Sequence, residues 1–159
     1  METSKGCGCP GSEMFQFGDI ADKGAENTTG KIESQLRQWP IQMHLINPAG
    51  PYYQGADVLL TADCVGYALG DFHREYLKGK ALAIACPKLD EGQDTYLEKV
   101  KAWFEDAKIN TLTVLIMQVP CCMGLMGLVK QAAENAERKV PVKLVIASVQ
   151  GEILNEEWV

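Results

Sequence analysis

Four segments of the chain are dense apolar or β-branched runs: ADVLLTAD (56–63), KALAIACP (80–87), NTLTVLIMQVP (110–120) and VKLVIASV (142–149). None has the in-and-out alternation of a half-exposed strand, and continuous runs of this kind suit strands covered on both faces. The stretches between them carry a helical period. Tyr96 or Leu97, Val100, Phe104 and Ala107 fall on one side between Asp94 and Lys108, and Met126, Val129, Ala133 and Ala136 fall on one side of the segment before Pro141. A shorter helix is expected around Asp71 to Lys78. Upstream, Ile41, Met43, Leu45 and Ile46 predict a strand that Asn47, Pro48 and Gly50 end.

Alternation of strand and helix at this spacing predicts right-handed crossovers and a three-layer α/β fold, a parallel β-sheet flanked by helices, Rossmann-like or flavodoxin-like. Residues 1–38 have no sustained period. They are rich in Gly, Lys, Glu, Asp and Thr and read as an irregular, Cys-containing N-terminal arm, leaving 39–159 as the α/β domain.

The chain has 159 residues with 15 Lys and Arg against 21 Asp and Glu, a formal charge of −6. That sign argues against a general nucleic-acid binder, whose surface is normally basic. No apolar run of about 18 residues is present to cross a bilayer, and METSKGCGCPG lacks the apolar middle of a signal peptide, so a cytoplasmic protein without membrane insertion is expected. There is no phosphate-binding glycine loop after a strand and no convincing Ser-His-Asp set.

Six cysteines exceed what core filling requires, and a reducing compartment makes a disulfide framework a poor explanation. Cys64 follows one predicted strand, Cys86 ends the next, and Cys121 with Cys122 follow the third. In a parallel sheet all carboxyl ends share one edge, so these thiols are expected there together. Soft thiolates suit a 4Fe-4S cluster or tetrahedral zinc, and donors drawn from separate loops favour the cluster. Other readings stay open: a dithiol or sulfur-transfer site at Cys121-Cys122, a structural zinc-binding interaction module, or four small buried hydrophobes. Cys7 and Cys9, in CGCPGS, are further metal candidates.

Asp63, Lys88 and Asp90 are expected either to line the crevice or to cap and solvate loops. His44 and His73 read as surface or satisfied core histidines rather than ligands. Met117, Met123 and Met126, and the aromatics Trp39, Trp103, Trp158, Tyr52 and Tyr53, are expected to pack.

The motifs CGCPGS (7–12), QLRQWP (35–40), PYYQGADVLLTADC (51–64), ACPKLD (85–90), VPCCMGL (119–125) and GEIL (151–154) together resemble the carboxyl-terminal region of the iron-sulfur cluster-binding, ferredoxin-type oxidoreductase family. Members commonly carry an amino-terminal ferredoxin domain that is absent here. Where that family has glycine after the paired cysteines, this chain has Met123. The resemblance implies one-electron transport by a redox component or oxidoreductase subunit. It makes Cys64, Cys86, Cys121 and Cys122 the cofactor-binding metal ligands, with a redox protein as donor or acceptor. A homodimer is compatible with the limited room of a short chain.

Overall fold

In the computed structural model, residues 14–17 and 30–159 are described. Seven strands occur among them: β1 (Phe15–Gln16), β2 (Gln38–Trp39), β3 (Asp57–Ala62), β4 (Ala81–Ala85), β5 (Thr111–Met117), β6 (Val142–Ala147) and β7 (Ile153–Trp158). Helices α1 (Val65–Ala68), α2 (Gln93–Glu105) and α3 (Met123–Asn135) lie between them, with a π-helical segment at Phe72–Leu77. β1 and β2 form a small antiparallel pair. The other five strands make one sheet in the order β4-β3-β5-β6-β7, parallel throughout except for β7. This is the expected α/β architecture, a mostly parallel sheet flanked by helices.

Burial follows the sequence runs. Val58, Leu59, Leu60, Thr61 and Ala62 of β3 are all buried, as are the six residues from Leu112 to Met117 of β5, because helices cover both faces of these central strands. Helix α2 turns Tyr96, Val100, Trp103 and Phe104 inward, and α3 turns Leu125, Met126, Val129 and Ala132 inward. α2 and α3 pack against each other. The chain steps from β3 out to β4 and then back across β3 to β5. With right-handed crossovers, that reversal puts the β3–β4 connection on the opposite face from α2 and α3.

The strand expected at residues 41–46 is reduced to a single parallel bridge between Gln42 and Ile84. Its physical cause is Lys99: the ammonium on α2 donates to the carbonyls of Met43, His44 and Ile46 at 2.7, 3.1 and 2.9 Å. Three carbonyls converging on one cation require a turn, whereas an extended strand would send them to opposite sides. Met43 and Ile46 are nevertheless buried, so the apolar signal was real while its periodicity was misleading. β7 went unrecognised as a strand because ILNEEW is an edge strand with five exposed residues.

The outer edge of β4 is closed by the segment just before the domain's first central strand. Backbone N–H of Met43 donates to Ile84 O and N–H of Ile84 donates to Ile41 O, at 2.9 and 2.8 Å. One step along, the fully buried side-chain amide of Gln38 replaces a strand: its Nε2 donates to Leu82 O and its Oε1 accepts from Leu82 N. Tyr53 Oη donates to the same carbonyl at 3.0 Å. An open edge would be a template for pairing with another chain. Replacing Gln38 with Leu keeps the volume but leaves Leu82 N–H without its partner. The expected cost is about 1–3 kcal/mol, read as a lower urea midpoint at unchanged slope.

Candidate functional site

The carboxyl ends of β3, β4, β5 and β6 point to one edge, and the sheet order reverses between β3 and β5. Crevices outside strand ends at such a reversal are the usual ligand positions of open α/β sheets. Three loops meet at that position. The first carries Cys64 directly after β3, the second runs from Cys86 after β4, and the third is a 3-10 turn, Pro120–Cys122, that continues into α3. The thiols affect one another across this edge: Cys86 and Cys121 act on Cys64, and Cys64 and Cys121 act on Cys122.

Each thiol has its own surroundings. Cys64 is exposed, and its Sγ donates to Asp63 Oδ1 at 3.5 Å. Desolvation, the Asp63 carboxylate and the neighbouring thiols push the Cys64 thiol up from its ordinary range. Cys121 is exposed while Cys122 is only 7% exposed and belongs to the core. Successive positions in a 3-10 turn lie about a third of a revolution apart, so one vicinal cysteine faces solvent and the other faces inward. Burial pushes the Cys122 thiol up, with Cys121 and Cys64 adding to the effect and a backbone contact from Met117 opposing it.

Cys86 sits in the most elaborately braced loop. Asp90 Oδ2 accepts from Cys86 N at 2.9 Å, from Tyr96 Oη at 2.6 Å and from Gln42 Nε2 at 3.2 Å. Gln93 Nε2 donates to Pro87 O and Asp90 O at 2.7 and 2.9 Å. His44 lies tilted against Tyr96 with ring centroids 4.5 Å apart, and its Nε2 lies 2.6 Å from Glu91 O. Of the two roles expected for Asp90, loop capping is the one its contacts serve. Lys88 is exposed. His73 is tied to the upstream segment, its Nδ1 accepting from Gln35 N at 3.1 Å. Nothing in the residue pattern marks Gln42, Gln93 and Tyr96 as braces of the Cys86 loop, since all three act from outside it.

These environments overturn the metal reading. Among the described residues, no three His, Cys, Asp or Glu side chains are placed to hold a metal ion. A cluster or zinc site needs sulfurs that converge to about 2.3 Å from one metal. Here Cys64 turns to Asp63, Cys122 turns into the core, and the Cys86 loop is held by Asp90 and Gln93. The 4Fe-4S cluster on Cys64, Cys86, Cys121 and Cys122 is therefore corrected, as is the structural zinc module. The redox-protein donor or acceptor fails with the cluster on which it depended. The disulfide alternative at Cys121-Cys122 is corrected too: all four described cysteines are free, and the vicinal pair divides between surface and core. Cys7 and Cys9 lie outside the described residues. No helix among those residues is long and apolar enough to cross a membrane.

A groove of about 640 Å³ between α2 and α3 begins beside these loops, lined by Gln93, Glu98, Gly124, Leu128 and Gln131 among others. Gly124 is there for closeness: a Cβ on it would lie 3.3 Å from Pro87 Cβ, so this glycine lets the third loop approach the second.

Residues 50–159 match the model of a family described as a Rossmann-like domain. An uncharacterized protein of Archaeoglobus fulgidus is 29% identical over 121 residues, covering 75% of this chain and 83% of the relative. No solved structure matches the chain. These likenesses support the α/β domain and an archaeal relationship, and they carry no sign of an iron-sulfur ferredoxin domain.

Exposure sets an order of thiol accessibility among these cysteines. Alkylation at neutral pH should modify Cys121 and Cys64 in the folded protein and reach Cys122 only on unfolding. Asp63→Asn removes a negative charge that disfavours the Cys64 thiolate, so its thiol should ionise at lower pH. Cys64 labelling near pH 8 should then rise by about two- to fivefold, less than the tenfold of a full unit, measured by peptide-resolved mass spectrometry.

Proposed function

This chain belongs to the Rossmann-like domain family, and from that premise we propose that it is a small-ligand-binding domain whose ligand enters the crevice between the loops after β3 and β5. The observation that carries the reading is the coincidence of the strand-order reversal with those two loops, each presenting an exposed cysteine, Cys64 and Cys121. Parallel α/β sheets place their binding residues at this position because loops from adjacent strands diverge there and leave an opening.

The surroundings suit a small organic ligand. Asp63 stands beside Cys64 at one side of the crevice, and no acidic residue lies in the first turn of α3. Protonated thiols at Cys64 and Cys122 add no charge of their own near neutral pH. The groove at Gly124 and Gln93 gives room for the remainder of the ligand, within the volume range of ordinary small-molecule sites.

The test is a thermal-shift series of small organic compounds, cationic, neutral and anionic, followed by alkylation of Cys64 and Cys121 with each stabilising compound present. A binder in this crevice should raise the melting temperature and slow labelling of both cysteines by at least about fivefold, because occupancy removes the competent open form. Stabilising compounds that leave both labelling rates unchanged would place binding elsewhere and defeat this reading.

A further inference from the structure

The edge that carries the thiols is also studded with apolar side chains. Each of the four segments that follow the parallel strands exposes one large hydrophobic residue: Tyr67 in α1 after β3 (96% exposed), Leu89 after β4 (77%), Met123 at the start of α3 after β5 (48%) and Val149 after β6 (65%). Adjacent strands are spaced about 4.8 Å apart, so the four positions span roughly 14 Å, the scale of a protein contact. Single exposed apolar residues are ordinary, but one on every segment of the same edge is a pattern that marks interaction surfaces. None of the four serves the core, and Tyr67 is nearly as accessible as in an extended chain.

Charge identifies the occupant. Residues 63–67, 86–92, 118–124 and 148–152 hold four carboxylates, Asp63, Asp90, Glu91 and Glu152, against one ammonium, Lys88. Half of the chain's formal charge of −6 therefore lies on this edge. A second copy would oppose one acidic edge with another, and like charges across an interface are unfavourable. Nucleic acid and anionic lipid surfaces are repelled for the same reason. We propose that this edge docks a partner protein through a basic surface bearing apolar side chains, with Tyr67, Leu89, Met123 and Val149 as the apolar anchors and the carboxylates as the steering rim. Such an interface has an apolar centre and a polar, charged periphery. The proposal goes beyond the small-ligand reading and does not need it, since its anchors are the exposed Tyr67, Leu89, Met123 and Val149 and not the thiols.

The probe is a short fluorescent peptide of alternating Leu and Lys, compared with Ser–Lys and Leu–Glu peptides by anisotropy with the full chain. The Leu–Lys peptide should bind at least about tenfold more tightly than either control, as expected when a few apolar anchors dominate. Tyr67→Ser with Leu89→Ser should remove that preference at unchanged melting temperature. Glu91→Lys with Glu152→Lys should weaken binding and flatten its salt dependence. Leu154→Ser with Trp158→Ser, on the exposed β7 strand, should leave binding intact. Equal binding of the Ser–Lys peptide, retained affinity in the Tyr67/Leu89 variant, or loss in the β7 variant would overturn the proposal. So would a dimer in sedimentation that the Tyr67/Leu89 variant abolishes, because a second copy would then cover this edge. Failure of the ligand screen leaves these readouts unaffected.

Discussion

Everything at the proposed site depends on the pairing of β3 with two neighbours at once. β3 is parallel to β4 on one side and to β5 on the other, in register from Val58 opposite Ala81 and from Asp57 opposite Thr111. A strand buried on both faces cannot slip by one residue without exchanging its two faces. Here both faces are apolar, so register is held by ladder continuity and by polar anchors at the strand entry. Asp57 supplies such an anchor, accepting from Asn110 Nδ2 and Thr111 Oγ1 at 2.8 and 2.7 Å. Arg138 braces the same end through the carbonyls of Phe104 and Ile109 at 3.2 and 2.9 Å. With the entry fixed, the exits of β3 and β5 are fixed too, and the loops bearing Cys64 and Cys121 have nowhere else to go.

The sheet's two edges are finished by different means. At β4, Gln38 and residues 41–43 cover the open ladder, and Lys99 folds the following carbonyls away from it. At the other side β7 runs antiparallel and leaves its outer side to solvent, with Glu156 paired to Lys143 and Trp158 beneath the same ammonium at 5.6 Å. Charge on an edge strand discourages pairing with another chain. The turn before β7 is held tightly: Gly151 has φ +88°, and a Cβ there would fall 2.4 Å from Ala68 O. Only glycine lets this turn lie against the end of α1, which brings the loops after β3 and β6 together at the site edge.

What could be read from the sequence follows from which interactions are local. The central strands were legible because burial on both faces writes itself as an unbroken apolar run, and α2 and α3 because one buried face writes itself as a helical period. Residues 41–46 were misread because their backbone is shaped by Lys99, more than fifty residues away. β7 was missed because an exposed edge strand needs no apolar pattern. For the cysteines, the sequence located the strand ends correctly but contained nothing about side-chain direction. The difference between Cys121 and Cys122 arises from one turn of 3-10 helix, which a reading of residue types does not contain.

That last difference decides between a shared pocket and a shared edge. Four soft donors at one edge are necessary for a cluster, but convergence to a single point is a separate requirement, set by loops of different origin. In this chain each loop meets a stronger local demand first. The Cys86 loop closes on Asp90, whose carboxylate gathers donors from Cys86 N, Tyr96 and Gln42. The Cys122 side chain fills the core where α3 begins, and among the described cysteines Cys64 and Cys121 are the exposed ones. Hydrogen bonds to a charged carboxylate contribute roughly 1.5–3 kcal/mol each, enough to hold the second loop against a rearrangement that would bring its sulfur inward. The result is an edge with accessible thiols at Cys64 and Cys121 and an acidic, apolar-studded rim. Each of these features suits recognition of something brought from outside, and none requires the thiols to act as one ligand set.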